Sequence, residues 1–261
     1  MRTAVVTGGS SGIGLAIARL LVLRGTWRLL LAARESARLR DAAAELGAEA
    51  VPCDVTDAVA VEQLAAASAG AGGCDLLVHS AGIPARAGLA EADVDEYRRV
   101  METNYVGTVA VTQALWAQVA ERRGRMAVIV SVAGAASFGS SAAYAASKHA
   151  QLAYARGLAS AGRRHGVAVT VVNPGPVATP GFPQGRLRRL PVVRRLVLEP
   201  DTCARMTMRA VDRGALEAFI PPAYRAATIL EGLAPGLSVR LAAAVRRPRG
   251  GQVDLPSPER A

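Results

Sequence analysis

Lysine is all but missing from this chain. Of its 31 basic residues, 30 are arginine and one, Lys148, is lysine. A planar guanidinium cannot stand in for a compact ammonium on a flexible stem, so the single lysine marks a place that needs one. Cysteine is scarce as well: Cys53, Cys74 and Cys203, an odd count with no CxxC pair. That argues against a disulfide framework or a zinc site and suits a reducing cytoplasm. Aromatic residues make up only 4% of a chain that is 51% hydrophobic, so the core must come mostly from Ala, Val and Leu. No apolar run approaches the roughly 18 to 20 residues that span a bilayer. The first strand-like run starts at Thr3, which leaves no room for a secretory leader. The expected compartment is the cytoplasm.

Charge is unevenly placed. Residues 186–249 hold 13 Arg against five acidic residues, a balance of +8 within a net charge of +10. Such a patch suits nucleic acid in principle, but Phe219 and Tyr224 are its only aromatics and no nucleic-acid motif accompanies them. Nucleic-acid binding is therefore set aside.

What is present is an alternation of short apolar runs and helix-period runs. With 261 residues the chain fits one large α/β domain. Residues 3–7 (TAVVT) lead into GGSSGIG and then LAIARLLVLRG. Between a strand and a helix, such a glycine turn reads as a phosphate cradle. Gly8 permits the tight turn, and Gly12 and Gly14 let a ligand approach the backbone. A second strand, Arg28 to Ala33, ends at Arg34, where an acid would receive a ribose 2′-hydroxyl and an arginine a 2′-phosphate. NADP(H) is thus favoured over NAD(H), against the plainer reading that Arg34 merely opens a solvated helix. A third strand (48–53) ends at Asp54 and Val55, and a fourth, Cys74 to His79, runs into Ser80, Ala81 and Gly82. His79 reads as a hydrogen-bonded structural residue rather than a catalyst. A long helix, about 94–122, carries Asn104 in its middle, where an unfavourable propensity suggests a surface residue or a helix distortion holding a water.

A fifth apolar run, Met126 to Val130, is followed by Ser131, and Tyr144 and Lys148 stand four residues apart. On a helix these two side chains leave by one face. An ammonium beside a phenol favours the phenolate, so the Tyr144 pKa is expected to fall from about 10 toward working pH. Such a phenol can exchange a proton with a carbonyl or alcohol oxygen, and Ser131 can add a second hydrogen bond to that oxygen. By itself this spacing also fits an ordinary amphipathic helix. A sixth strand, Val167 to Val172, leads into the rigid loop 173–179, and residues 215–222 read as a seventh. The expectation is an α/β, Rossmann-type doubly wound, seven-stranded parallel sheet with helices on both faces and a helical basic C-terminal extension.

Over residues 3–180, and more loosely to 221, the chain resembles the short-chain dehydrogenases/reductases. The resemblance is carried by TGGSSGIG (7–14), Asp54-Val55, HSAG (79–82), Asn104 in NYVG, Ser131, Tyr144-Ala-Ala-Ser-Lys148 and Pro174-Gly175. It implies that Tyr144 is the acid/base, that Ser131 holds the substrate oxygen, and that Lys148 binds the nicotinamide ribose and tunes Tyr144. Asn104 would anchor a water of the proton relay. Cofactor contacts would come from Gly8, Ser10, Ser11, Gly12, Ile13 and Gly14 in the first loop. Arg34, Asp54, Val55, Ser80, Ala81 and Gly82 would follow, and then Tyr144, Lys148, Pro174, Gly175, Val177 and Thr179. HSAG departs from the family's common NNAG. A homo-oligomer paired through the helices near 94–120 and 141–162 is implied in the same way.

The expected domain runs from 1 to 222, with a substrate lid at about 180–199. Residues 223–247 form an amphipathic helical extension and 248–261 a disordered tail. The extension reads first as an arm packed on its own domain or a second subunit, and second as a helix on an anionic membrane surface. The function expected is NADP(H)-dependent hydride transfer to or from a lipophilic carbonyl or secondary alcohol. Alternatives are a nucleotide-binding regulator on the same fold or a membrane-surface lipid reductase.

Overall fold

The structure is a computed structural model that describes residues 1–88, 91–136, 142–180, 197–237 and 239–240. Seven strands form one parallel sheet: β1 (Arg2–Thr7), β2 (Trp27–Ala33), β3 (Glu49–Pro52), β4 (Leu76–His79), β5 (Arg125–Ile129), β6 (Ala168–Pro174) and β7 (Glu217–Ile220). The strands are near-continuous runs of Val, Leu, Ile and Ala because both faces of the sheet are covered by helices. Their order is β3-β2-β1-β4-β5-β6-β7. The winding reverses between β1 and β4, and ligand crevices in such sheets open beyond the strand C-ends at that reversal.

One face of the sheet is covered by α1 (Gly12–Leu23), α2 (Ala37–Leu46) and α7 (Pro200–Asp212), with Ile17, Leu21, Leu39 and Met208 fully buried. On the other face lie α3 (Ala58–Gly70), α5 (Gly107–Glu121) and α6 (Ala142–Arg164), which bury Leu64, Leu115 and Ala155. Local chemistry sets the helix starts. Ser36 Oγ accepts from Leu39 N–H at 3.3 Å and Asp57 Oδ1 from Val59 N–H at 2.9 Å, each satisfying an orphan donor of a first turn.

The long helix expected across 94–122 runs through but is not regular. It is α4 (Val94–Met101), a π-helical turn (Glu102–Val106) and α5. Asn104 sits at the centre of that turn, so of its two readings the helix distortion is the one the structure adopts.

The C-terminal extension starts with α8 (Tyr224–Leu233), whose first residue packs its ring against Gly175. Beyond that contact Ile229, Leu230, Leu233, Leu237 and Val239 are exposed, Leu233 to 83%. Tyr224, Thr228, Glu231 and Ala234 are half-buried along one side of the arm, while these apolar side chains face outward. Residues 181–196 of the expected lid and the expected tail 248–261 lie outside the described residues.

Candidate active site

Parallel register brings the strand C-ends level. Thr7 pairs with Ala32 and His79, and His79 with Val128. The residues immediately after them therefore line one crevice: Gly8, Arg34, Asp54, Ser80, Ser131 and Gly175.

The turn after β1 is built by close approach. A Cβ on Gly8 (φ 66°) would lie 2.7 Å from the Ser80 carbonyl oxygen, and one on Gly14 would lie 2.5 Å from that of Gly8. Thr7 straps the two strand ends together: its hydroxyl accepts from the Ser80 and Ala81 N–H groups, both at 3.2 Å, and donates to the Val78 carbonyl. The α1 N-terminus carries no acid in its first turn, and its N-cap Ser11 makes no side-chain cap. The N–H groups of Gly12, Ile13 and Gly14 thus face the crevice mouth with the positive end of a helix dipole, an arrangement that fits a pyrophosphate. Ser10 lies on the same turn, and Thr179 packs over Gly12, whose Cβ would meet it at 3.1 Å.

Arg34 is exposed just past β2, and the adjacent Glu35 pairs with Arg40 instead. Among the described residues no carboxylate pairs with Arg34. Asp54 takes the Thr56 N–H (3.0 Å) and hydroxyl (2.8 Å) on one oxygen, a local turn that aims the loop, while Val55 is buried against α5. Both ends of the 173–179 loop are tied down: Gly175 N–H donates to the Ile220 carbonyl at 2.8 Å, and Val177 bridges Leu198.

Ser131, Tyr144 and Lys148 converge at the end of β5. Ser131 opens a 3-10 turn (Val132–Gly134), its Oγ accepting from Ala133 N–H at 3.1 Å. That turn lies against the α6 backbone so tightly that a Cβ on Gly134 would fall 2.6 Å from the Lys148 carbonyl oxygen. The approach brings Ser131 within hydrogen-bond reach of the Tyr144 phenol. Lys148 is buried, with Nζ 5.8 Å from the Tyr144 ring centroid, and donates to the Ile129 carbonyl (3.2 Å) and Gln151 Oε1 (2.7 Å).

The electrostatics differ from the sequence expectation. Burial pushes the Tyr144 phenol above its ordinary value, against a smaller lowering by Ser131, and it pushes the Lys148 ammonium down to about 7. The ammonium donates to two neutral acceptors, the Ile129 carbonyl and Gln151 Oε1, and removal from water favours the neutral form of each group.

Asn104 is wholly buried. Its Oδ1 accepts from Ile83 N–H (2.7 Å) and its Nδ2 donates to the Ile83 carbonyl and Ser147 Oγ (both 3.0 Å). Its backbone carbonyl accepts from Thr108 Oγ1 at 2.9 Å. His79 is also buried, Nε2 3.1 Å from Thr112 Oγ1, and burial holds its pKa down at about 4. It is a neutral structural group, as the sequence reading had it.

Sequence reasoning missed Thr7, Thr108 and Gln151. A signal existed for Gln151: it stands three residues after Lys148, on the face of α6 that otherwise buries Leu152, Ala155 and Ala159.

The chain is similar to known proteins. A family model for short chain dehydrogenases matches residues 2–187. The chain belongs to the short-chain dehydrogenases. It is 37% identical over 188 residues to the dehydrogenase/reductase SDR family member 7B of Bos taurus, covering 67% of this chain and 58% of that protein. It is also 40% identical over 190 residues to the 1-deoxy-11-beta-hydroxypentalenate dehydrogenase of Streptomyces exfoliatus, covering 69% and 68%. The chain thus spans less than two thirds of the bovine relative's length. Among solved structures, an NADPH-bound variant of actinorhodin polyketide ketoreductase superposes with a TM-score of 0.75 at 30% identity, covering 84% of this chain and 94% of that one. The family works with nicotinamide cofactors, and the glycine turn and open α1 N-terminus described above fit such a group.

Proposed function

We propose that this protein is an NADP(H)-dependent carbonyl reductase/alcohol dehydrogenase acting on a lipophilic ketone or secondary alcohol, on a domain spanning residues 1–222. The observation that carries the reading is the Ser131–Tyr144 hydrogen bond set beside a buried Lys148 at the C-end of β5. When bound, the nicotinamide supplies or accepts the hydride. The Gly8–Gly14 turn, with Ser10, Ser11 and Ile13, would hold the pyrophosphate, and Arg34 the 2′-phosphate. Asp54 and Val55 would border the adenine. The backbone of Ser80 to Gly82, together with Pro174, Gly175, Val177 and Thr179, would wall the nicotinamide half, with Tyr144 and Lys148 at its ribose.

Ser131 Oγ accepts from Ala133 N–H, which fixes the hydroxyl beside Tyr144, where it would share its proton between the phenol and a substrate oxygen. Tyr144 gives that oxygen a proton in reduction and takes one in oxidation. A phenol pushed above its ordinary pKa stays protonated at neutral pH, the form that donates in the reducing direction. Lys148, against the phenol ring, steadies the negative charge left on Tyr144. Relatives named for a hydroxypentalenate and a polyketide support a hydroxyl or ketone on a carbon skeleton as the reacting group.

The test is a fluorescence titration of wild type and Arg34→Ala with NADPH and NADH, followed by a ketone panel. Tight NADPH binding that weakens selectively in the variant supports the cofactor assignment, and equal binding of both nucleotides removes it. Tight nucleotide binding without turnover of any ketone would favour the regulatory alternative, and absence of any binding would count against both.

The exposed apolar row of Ile229, Leu230, Leu233 and Leu237 favours a second reading of the same enzyme, as one working at an anionic membrane surface. Co-sedimentation with phosphatidylglycerol vesicles, for the full chain and for a truncation at residue 222, separates this from a reductase that leaves vesicles alone.

A further inference from the structure

Lys148 is held by two neutral acceptors, and the nearer, Gln151 Oε1 at 2.7 Å, is itself fixed from behind. Gln151 is fully buried, and its Nε2 donates to Thr108 Oγ1 at 2.9 Å. Thr108 gives its own proton to the Asn104 carbonyl oxygen at 2.9 Å, so toward Gln151 it can only accept. The amide therefore has one sensible orientation, nitrogen to threonine and oxygen to ammonium; a flip would set N–H against N–H. Asn104 in turn is pinned in both directions to the Ile83 backbone. A chain of buried groups thus runs from the π turn through α5 to the ammonium.

We propose that Gln151 is a positioning residue for Lys148, fixing where its nitrogen sits and how tightly it holds its third proton. The inference rests on the part given to Lys148 in the proposed proton chemistry.

Among the described residues, the groups around Lys148 are these. On its own helix is the Tyr144 ring; from β5 comes the Ile129 carbonyl, and Ser131 is in hydrogen-bond reach of the phenol. The neighbouring loop offers the Gly82 backbone, the π turn the Asn104 amide, and α5 Thr108 through Gln151. One helical turn further on, Thr112 meets His79, which burial keeps neutral. Among the described residues no carboxylate pairs with Lys148, and burial alone accounts for its descent to about 7. A carboxylate in place of the Gln151 amide would relieve that burial strongly, and a hydrocarbon would not relieve it at all.

The chain's single lysine makes the test direct. Protein labelled with ¹⁵N,¹³C-lysine gives one side-chain signal, whose pH titration is followed in wild type, Gln151→Glu and Gln151→Leu, without substrate or nucleotide. The expected result is a midpoint near neutrality in wild type, raised by about 1 unit or more in Gln151→Glu and lowered by a similar amount in Gln151→Leu. Thermal unfolding monitors integrity, and Gln151→Met, of similar length but without the amide, replaces the leucine variant if that one does not fold. Opposite shifts support the proposal. Midpoints that stay put, or move the same way in both variants, overturn it. The titration uses no turnover, so a wild type inactive toward every ketone would count against the enzyme reading and leave the Gln151 result standing.

Discussion

Tyr144 and Lys148 are driven apart by the same cause. Burial keeps the acid protonated and makes the base ready to lose its proton, so near neutral pH small changes around either group should alter turnover more than folding. Tyr144→Phe keeps the ring and removes the transferable proton. It should lower ketone turnover by roughly 10²- to 10⁴-fold while fluorescence-detected NADPH affinity stays near wild type. If turnover persisted, the proton would have to come from elsewhere. The Tyr144–Lys148 pair was legible in the sequence because four residues make one helical turn, while Ser131 was carried by its place after the fifth apolar run and by the resemblance. Gln151 was not legible, because its orientation is set by Thr108, 43 positions earlier on another helix.

At the level of elements, β4 is clamped to α5 by the contact between His79 and Thr112. Folded His79 gives up its proton at about 4, below the ordinary value of 6.5 that applies in the unfolded chain. Between those values the unfolded state binds more protons, so this contribution is complete above pH 6.5 and is lost as pH falls toward 4. Urea denaturation at pH 7 and pH 4.5 should show wild type losing more stability than His79→Gln, by on the order of 2–3 kcal/mol; equal losses would remove the clamp from the account. The start of α8 offers a second test. A Cβ on Gly175 would fall 2.3 Å from the Tyr224 ring. Gly175→Ala should therefore cost about 1–3 kcal/mol, largely recovered in the double variant with Tyr224→Ala, as read by a double-mutant cycle in urea. The π turn could be anticipated from sequence only as a choice, since an asparagine in mid-helix fits a surface position equally well. The Ile83 backbone and Ser147, supplied by a loop and by α6, decide it.

For the whole molecule, a ligand that binds the folded chain alone must stabilise it. At about a hundredfold its Kd, NADPH should contribute about 2.7 kcal/mol, a rise in Tm of roughly 5 to 10 °C for a domain of this size. Arg34→Ala should remove most of the NADPH-induced rise and leave any NADH-induced rise in place. A thermal-shift series with both nucleotides reads this directly, and equal loss for both would return Arg34 to the role of a solvated surface charge.

The sequence by itself determined the winding of this protein. Apolar runs spaced by helix-period segments admit little besides a covered parallel sheet, and the turn residues after each run are already in place along the chain. Only the tertiary structure decided the protonation tendencies and the fate of the arm. A tyrosine and a lysine one helical turn apart suggest mutual charge stabilisation, but what they experience is set by how much water the 3-10 turn, α5 and the sheet remove, and that sum has no local signature. An amphipathic arm looks the same in sequence whether covered or bare. Here Tyr224 is seated on Gly175, Thr228, Glu231 and Ala234 are half-buried, and Ile229, Leu230 and Leu233 are left exposed.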